Sequence, residues 1–324
     1  MKALLCKSFG PPSSLVVEDL PDPEPQPGEI LIEVKAAGLN FFDTLIIENK
    51  YQFKPELPFS PGAEMAGIVR KTSPGVAAFV PGDRVSGYMK HGSVREMVVA
   101  KEGDVVKIPE PISFVDAAGL CVTYGTSLHG LRDRAQLQPG ETVAVLGASG
   151  GVGQSAIEIS KAMGARVIAC ASSEDKLEFC REHGADETIN YSTEDLKNRL
   201  KELSGGKGVD VVYDPVGGDY SEQALRALGW EGRFLVIGFA GGQIPKIPLN
   251  LPLLKSCDIR GVFWGAAIAR DPEQHRRNMR QILNWVAEGA IKPHIHGTYS
   301  LDNAANALQD LADRKVMGKA IVTF

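Results

Sequence analysis

The chain has 324 residues, of which 44% are hydrophobic and 23% are charged. This length suits about two domains of roughly 150 residues, and the balance is typical of a soluble globular protein. Thirty-five basic and forty acidic residues give a net charge of -5, and no block of Lys or Arg indicates binding to nucleic acid or anionic lipid. The longest uncharged apolar stretch, residues 261–269, is too short to span a bilayer. Small molecules are therefore the expected partners, and no membrane or nucleic acid partner is expected.

The five cysteines are an odd number and contain no Cys-x-x-Cys spacing. Neither a disulfide framework nor a zinc ribbon is predicted from them. The N-terminus lacks the apolar core of a secretory signal. Reduced thiols and the missing signal together favour a cytoplasmic protein.

The first third of the chain, to about residue 118, consists of short β-prone runs separated by Pro and Gly turns. This pattern predicts an all-β module, with strands at residues 30–36, 65–70 and 84–88.

The middle of the chain alternates short apolar strands with helices, which predicts βαβ units and a buried parallel sheet. Strands are expected at residues 142–146, 166–171, 209–213 and 234–237, and helices at residues 152–163 and 176–183. The tail adds predicted helices at residues 274–288 and 302–314 and a strand at residues 319–324.

A glycine-rich loop, Gly-Ala-Ser-Gly-Gly-Val-Gly at residues 147–153, follows a predicted strand and precedes a predicted helix. That context indicates a dinucleotide-binding loop, with Ala148 in the first glycine position of the motif. Gly150 would let the backbone approach a pyrophosphate, Gly153 would let helix and strand pack closely, and the helix N-terminus would supply N–H donors. An ordinary glycine-rich turn is the alternative, which the order of the flanking elements disfavours.

The end of the next strand lacks the carboxylate that binds the ribose hydroxyls of NAD. It carries Ser172 and Ser173 instead, with Lys176 nearby. Hydroxyl donors and a positive charge suit the 2′-phosphate of NADP. Two alternatives remain open: Ser173 caps the following helix, or Glu174 and Asp175 repel a phosphate.

Metal binding is disfavoured by the distribution of the six histidines. Only His294 and His296 are a close pair, and no cysteine or third convincing ligand accompanies them. The alternative is a polar surface strand on which both rings share a face.

Several short sequences lie along the whole chain, at residues 37–43, 61–67, 81–85, 139–141, 147–153, 184–186, 189–191, 214–218 and 318–319. Together they resemble the zinc-independent quinone oxidoreductase branch, the zeta-crystallin-like proteins, of the medium-chain dehydrogenase/reductase superfamily. The resemblance covers essentially the whole chain. Zinc-dependent relatives carry Cys near Asn40, His at Ala63 beside Glu64, and a four-cysteine lobe after about residue 90; these ligands are missing here.

The resemblance implies an α/β fold in which a doubly wound Rossmann domain is combined with a β-rich, GroES-like substrate domain. The Rossmann, NADPH-binding domain would span residues 119–264. The substrate domain would be formed by residues 1–118 and 265–324 and clamped against it, with NADPH in the cleft. A homodimer would form by pairing of Rossmann edge strands near residues 260–264.

The resemblance also implies site residues. Asn40, Tyr51 and Thr123 match positions that line the nicotinamide and substrate. Some relatives have a second tyrosine where this chain has Leu45, which puts a two-tyrosine pocket in doubt. The candidate cofactor-binding residues, from the loop motif, the strand end and the resemblance together, are Ala148, Gly150, Gly151, Val152, Ser172, Ser173, Lys176, Tyr191, Gly238, Phe239 and Ala240.

The function implied is NADPH-dependent, metal-independent hydride transfer to quinones or other conjugated carbonyl compounds. Conjugation stabilises the charge that develops on the acceptor oxygen, so hydrogen-bond donors can replace a metal. Asn40, Tyr51 and Thr123 are the candidate donors, and Tyr51 or water would return the proton. Structural alternatives are a turn or cap for Asn40, a packing aromatic for Tyr51 and a bond to its own backbone for Thr123.

Two other functions fit the same sequence. The first is an enone reductase or an enoyl-thioester reductase of the acryloyl-CoA type, which shares the fold, cofactor and conjugate-addition chemistry. The second is a non-catalytic NADPH-binding protein. The sequence leaves the preferred acceptor open, and also whether quinones are reduced by one electron or by two.

Overall fold

A computed structural model describes every residue from Met1 to Phe324. The chain forms two compact units: Met1–Val122, Ile268–Gly289 and Pro293–Phe324 form the first, and Thr123–Ala267 and Ala290–Lys292 form the second. All five cysteines are buried and free of disulfides. None of the helices combines the length and the apolar character that a membrane span requires.

The chain contains 15 strands and 11 α-helices. The strands are β1 (Lys2–Leu5), β2 (Val16–Asp19), β3 (Glu29–Leu39), β4 (Glu64–Thr72), β5 (Arg84–Tyr88), β6 (Met97–Lys101), β7 (Val105–Lys107), β8 (Thr142–Leu146), β9 (Arg166–Ala171), β10 (Glu187–Asn190), β11 (Val209–Asp214), β12 (Leu228–Val236), β13 (Asp258–Gly261), β14 (Ile295–Ser300) and β15 (Lys319–Thr323). The helices are α1 (Phe41–Ile47), α2 (Phe114–Ala118), α3 (Cys121–Leu128), α4 (Gly151–Ala162), α5 (Glu174–Glu182), α6 (Leu196–Leu203), α7 (Asp219–Arg226), α8 (Asn250–Lys255), α9 (Trp264–Arg270), α10 (Pro272–Ala287) and α11 (Ala304–Ala312).

The first unit is built on a seven-stranded sheet in the order β14-β15-β3-β4-β5-β7, with β6 also paired to β3. Strand β3 forms at its centre because Ile30, Ile32 and Val34 alternate with polar or partly exposed residues. Alternation puts the three β-branched side chains on one face, where burial stabilises the fold by about 1.5–3 kcal/mol each. The three strands predicted in this region are confirmed, β3 and β4 being longer than expected.

The prediction of an all-β first third is wrong, because α1 and α2 lie within it. Helix α1 has seven residues, fewer than are needed to show a helical period in the sequence. Its start is stabilised by Asp43, whose Oδ2 accepts the N–H of Asn40 at 2.8 Å. Its apolar residues Ile46 and Ile47 pack into the core of the first unit.

The second unit contains the predicted parallel sheet, with six strands in the order β10-β9-β8-β11-β12-β13. All five strand pairings are parallel. From β8 the chain first adds strands on one side and then, from β11, on the other. Ligands of such sheets bind beyond the carboxyl ends of the strands where this reversal occurs. The reversal in this sheet lies between β8 and β11.

The two helices predicted after β8 and β9 are confirmed as α4 and α5, within one or two residues at each end. Both are followed by a glycine in the left-handed region, Gly164 with φ 80° and Gly184 with φ 98°. These are the glycine stops expected from the sequence, since other residues adopt this conformation at a cost.

Strand β13 is an edge strand, because it pairs only with β12. Large apolar side chains beside it are exposed, including Phe263 (60%) and Leu253 (78%). The strand expected near residues 260–264 ends at Gly261. Trp264 instead begins α9 and is buried, with its ring so close that a Cβ on Gly125 would lie 2.8 Å from it.

Candidate functional site

The glycine-rich loop joins β8 to α4 at the reversal point of the parallel sheet. Gly147 has a φ of 55°, and a Cβ on Gly153 would lie 2.7 Å from Ala148 Cα. Gly153 therefore allows the close approach of helix and strand that the motif predicts. Ala148 is buried, and its N–H donates to the carbonyl of Cys170 at 3.1 Å, which ties the loop to the end of β9.

The N-terminus of α4 suits an anion. Gly150 is its N-cap, no side chain caps it, and its first turn holds no acidic residue. The first-turn N–H groups, including those of Gly151 and Val152, lie beyond the reach of helical carbonyl partners. A Cβ on Gly150 would lie 3.5 Å from the nearest protein atom, so packing within the loop does not itself require glycine here. The predicted pyrophosphate-binding residues thus lie together at a positive helix end.

The end of β9 leads directly into α5 through Ser172 and Ser173. Ser173 occupies the N-cap position, but its side chain makes no cap hydrogen bond. The alternative that its hydroxyl serves as a cap is therefore wrong. Glu174, one of the two carboxylates that could repel a phosphate, forms an ion pair with Arg181 at 2.8 Å.

Two more candidates lie close to this strand end. Lys176 is half-buried in the first turns of α5. The N–H of Tyr191 donates to the carbonyl of Ala171 at 3.1 Å, and its ring lies 4.3 Å from that of Tyr220. Ser172, Ser173, Lys176 and Tyr191 are therefore all placed at the carboxyl ends of β9 and β10.

Gly238, Phe239 and Ala240 follow β12 and are held against the segment that follows β11. The N–H of Gly238 donates to the carbonyl of Asp214 at 3.3 Å, and that of Ala240 donates to the carbonyl of Pro215 at 2.9 Å. Phe239 is 40% exposed. These residues share the edge of the parallel sheet on which the glycine-rich loop lies, as expected for strands that run in one direction.

A buried polar cluster in the first unit joins Asn40, Glu64 and Lys319. Nζ of Lys319 donates to Glu64 Oε1 at 2.6 Å, to Asn40 Oδ1 at 2.8 Å and to the carbonyl of Leu39 at 2.8 Å. Asn40 Nδ2 donates to Glu64 Oε1 at 2.9 Å, and Glu64 Oε2 accepts the N–H of Val122 at 2.8 Å. Asn40 sits at the N-cap position of α1, yet its side-chain amide bonds to this cluster.

The cluster follows from strand register. Gly38 on β3 pairs with Glu64 on β4, and Glu64 pairs with Tyr88 on β5. Side chains of directly opposed residues share a face of the sheet. Gly38 is required at this place because a Cβ there would overlap the carbonyl oxygen of Ala118 and would lie 2.8 Å from Glu64 Oε1.

Two partly buried tyrosines, Tyr51 and Tyr88, belong to the same unit, and Tyr88 pairs with Glu64 across β4 and β5. Tyr51 is half-buried and stacks on Phe42, with ring centroids 5.4 Å apart. Burial, reinforced by the charge of Asp43, raises the pKa of the Tyr51 phenol. Burial also raises the pKa of Tyr88, and the neighbouring Tyr51 adds to this rise. Both phenols are therefore neutral hydrogen-bond donors at ordinary pH.

Asn40 and Tyr51 belong to the first unit, whereas Thr123 belongs to the second. Thr123 lies on α3 and is 3% exposed. Its carbonyl accepts the hydroxyl of Ser155 at 3.1 Å, which connects α3 to α4. Ser127 on α3 joins the same network through Tyr213, with their hydroxyl oxygens 2.8 Å apart.

The residues present do not fit a zinc ion. No group of three or more His, Cys, Asp and Glu side chains is arranged to hold a metal. His294 precedes β14, so the predicted strand contains only His296, whose Nδ1 accepts the N–H of Met317 at 3.4 Å. Glu64 already has a cation partner in Lys319.

Sequence reasoning missed three residues of the polar cluster and its surroundings: Glu64, Lys319 and Tyr88. Glu64 and Lys319 lie within short sequences that carried the family resemblance, yet nothing in their spacing indicated that they meet. Tyr88 was predicted as a strand residue only. The pairing of β5 with β4 places Tyr88 directly opposite Glu64.

A six-stranded parallel sheet with a glycine-rich loop and an uncapped helix at its reversal point is typical of a dinucleotide-binding domain. Family comparisons agree: the alcohol dehydrogenase GroES-like domain matches residues 26–110, and the zinc-binding dehydrogenase domain matches residues 151–288. The chain belongs to the quinone oxidoreductase branch of the medium-chain dehydrogenase/reductase superfamily. The expected fold class, a Rossmann-like parallel sheet combined with a GroES-like domain, is thereby confirmed.

Two curated relatives illustrate the match. The chain is 38% identical to the quinone oxidoreductase-like protein 2 homolog of Nematostella vectensis, over 99% of this chain and 88% of the relative. It is 33% identical to the quinone oxidoreductase of Pseudomonas aeruginosa, over 99% of both chains. The protein is therefore an oxidoreductase, as expected.

A solved structure supports the same assignment. The quinone oxidoreductase of Escherichia coli, solved in complex with NADPH, superposes with a TM-score of 0.93 at 30% identity. The alignment covers 100% of both chains.

Proposed function

We propose that the protein reduces quinones, and related conjugated carbonyl compounds, with NADPH as the reductant. Bound NADPH supplies a hydride from its nicotinamide ring. The observation that carries the proposal is the uncapped N-terminus of α4 beside the glycine-rich loop, at the reversal point of the sheet. Anions bind at such helix ends through N–H donors and the helix dipole, and a pyrophosphate is the anion expected in this fold.

The preference for NADPH over NADH is assigned to the end of β9. Ser172 and Ser173 provide hydroxyls that do not cap α5, and Lys176 provides a positive charge. Tyr191 borders the same strand end through its bond to Ala171. A phosphate group needs donors and positive charge, which these side chains offer. Gly238, Phe239 and Ala240, at the same sheet edge, are assigned to the nicotinamide.

Asn40, Tyr51 and Thr123 are assigned to the acceptor. Hydride addition to a quinone or enone leaves negative charge on a carbonyl oxygen, and donors aimed at that oxygen lower the barrier. The Asn40 amide has one Nδ2 hydrogen directed to Glu64, and its second hydrogen is available to this oxygen. The neutral phenol of Tyr51 donates a hydrogen bond and then its proton, completing the addition of one hydride and one proton.

The experiment that tests the function is a comparison of acceptors with the purified protein. NADPH oxidation is followed with a quinone, an enone and an enoyl thioester at equal concentrations, and NADPH binding is measured separately by calorimetry. Fastest turnover of the quinone supports the proposal. Fastest turnover of the thioester would identify an enoyl-thioester reductase, and tight NADPH binding without oxidation would identify a non-catalytic NADPH-binding protein. Spin-resonance detection of semiquinone separates one-electron from two-electron reduction.

We also propose a homodimer formed through β13. The unpaired side of this strand can hydrogen-bond to a second copy of itself and extend the sheet. Ile259, Phe263, Leu249, Leu253 and Leu254 expose large apolar side chains on β13 and in the segments before and after it. Exposed apolar groups of this kind mark protein–protein contacts, and a two-fold interface would cover the same surface on both copies.

A further inference from the structure

The ammonium group of Lys319 uses all of its hydrogen-bond donors inside the first unit. Its three N–H groups meet three acceptors: the carbonyl of Leu39, Asn40 Oδ1 and Glu64 Oε1, at 2.6–2.8 Å. Lys319 is 2% exposed and Glu64 is fully buried. The pair is therefore a desolvated, fully hydrogen-bonded ion pair.

We propose that Lys319, together with Glu64, is a positioning residue that fixes the orientation of the Asn40 amide. The inference rests on the proposed function, in which Asn40 faces the acceptor oxygen, and it assigns to Lys319 a specific part in that site.

The orientation follows from donor and acceptor chemistry. An ammonium group has no acceptor, so the atom of Asn40 that faces it must be the carbonyl oxygen. A carboxylate has no donor, so the atom that faces Glu64 must be the amide nitrogen. A flipped amide would set its NH₂ group against the ammonium and its oxygen against the carboxylate, losing both bonds in a buried setting. Only one orientation is compatible with both partners.

A contribution to folding stability does not by itself explain why a buried ion pair is present here. Burial of two charges carries a desolvation cost that their attraction often fails to exceed, and apolar replacements of similar volume are frequently as stable. What apolar side chains cannot supply is the polarity that holds the Asn40 amide in one orientation. Its second Nδ2 hydrogen, which makes no hydrogen bond within the protein, is then presented in one direction.

The test is a double-mutant cycle on folded, full-length protein. The paired variant Lys319→Met with Glu64→Gln removes both charges at nearly constant volume, so that neither charge is left unpaired. It is made in the native sequence and in the Asn40→Ala background. Steady-state rates with 1,4-naphthoquinone and NADPH affinity by calorimetry are measured for each protein. Lys315→Met is the matched control, because Lys315 lies on the surface near the same end of the chain and pairs with Asp313.

We expect the paired variant to lower kcat about tenfold or more in the native sequence, since a small displacement of a group that contacts the reacting atoms lowers the rate strongly. NADPH affinity should change little, and Lys315→Met should behave as the native protein. In the Asn40→Ala background the paired variant should have no further effect on kcat. An equal loss of kcat in both backgrounds, or no loss in the native one, would overturn the inference, because a structural role persists without Asn40.

A second measurement uses the native protein alone, and it depends neither on enzymatic activity nor on the folding of a variant. Selective ¹⁵N labelling of asparagine reports the side-chain amide hydrogens of Asn40, with exposed Asn49 as the internal reference. Slow solvent exchange of the Asn40 amide supports the fixed orientation, and exchange as fast as that of Asn49 contradicts it. If the native protein reduces no quinone while this amide is protected, the proposed function fails and the fixed orientation stands.

Discussion

Gly153 packs directly against the backbone of Ala148, so that a Cβ on Gly153 would lie 2.7 Å from Ala148 Cα. At Gly150 the nearest atom would be 3.5 Å away, which is an ordinary contact. The two glycines of one loop are therefore required for different reasons, and their alanine variants should differ.

We expect Gly153→Ala to lower the thermal unfolding midpoint by several degrees, because the helix must move away from the strand. Gly150→Ala should unfold like the native protein and bind NADPH at least about tenfold more weakly, since the added methyl group would meet the pyrophosphate. Calorimetry and thermal unfolding measure both effects. Native NADPH affinity in Gly150→Ala would contradict the assignment of this loop to the pyrophosphate.

Lys176→Ala tests recognition of the 2′-phosphate. Loss of a charge-assisted hydrogen bond should weaken NADPH binding about tenfold to a hundredfold. NADH binding should hardly change, because NADH lacks this phosphate. Lys207→Ala, which removes an exposed lysine elsewhere in the second unit, is the control. Equal weakening of both nucleotides would rule out a phosphate contact at Lys176.

Asn40→Ala and Tyr51→Phe test the two acceptor-binding residues of the first unit. Each should lower kcat/KM for a quinone about a hundredfold, the usual effect of removing one donor to a developing oxyanion. NADPH affinity should stay near native. Tyr299→Phe, which removes a hydroxyl bonded to Asp310, is the matched control. Native turnover in both site variants would remove Asn40 and Tyr51 from the mechanism.

The buried His275 predicts a dependence of stability on pH. Burial lowers its pKa to about 4, whereas an unfolded histidine titrates near 6.5. Between these values the unfolded chain binds more protons, so this residue's contribution to stability is present above about pH 6.5 and is lost as pH falls towards about 4. The loss amounts to about 3 kcal/mol at most.

His275→Gln should therefore flatten the stability curve on the acid side. The measurement is the difference in urea unfolding free energy between native and variant protein at several pH values. If this difference is the same near pH 4 as it is above about pH 6.5, His275 is not the titrating group.

Leu253→Asp and Phe263→Asp test the proposed dimer surface. A carboxylate on each copy would be desolvated at the interface, so both variants should elute as monomers by size-exclusion chromatography with light scattering. Val80→Asp, at an exposed apolar residue of the first unit, is the control. A native protein that is monomeric, or variants that remain dimeric, would remove β13 and its neighbours as the interface.

The Rossmann half of the fold and its glycine-rich loop could be predicted because their patterns are local. Largely apolar runs of five and six residues, at 142–146 and 166–171, are each followed by a helical stretch and a glycine with positive φ. Strand, helix and stop are therefore specified within short windows of sequence. The seven-residue helix α1 was missed because it is too short to show a period. The end of the edge strand was missed because the ring of Trp264 packs against Gly125, a contact between residues far apart in the sequence that no local pattern contains.

The polar cluster of Asn40, Glu64 and Lys319 could be found only in the tertiary structure. Lys319 lies 255 residues from Glu64 and 279 from Asn40 along the chain, and the three meet only because β15, β3 and β4 pair in one register. The sequence supplied Asn40 as a candidate donor to the acceptor, with a turn or a helix cap as the alternative. The physical reason one orientation prevails is that a buried ammonium group accepts no hydrogen bond and a buried carboxylate donates none.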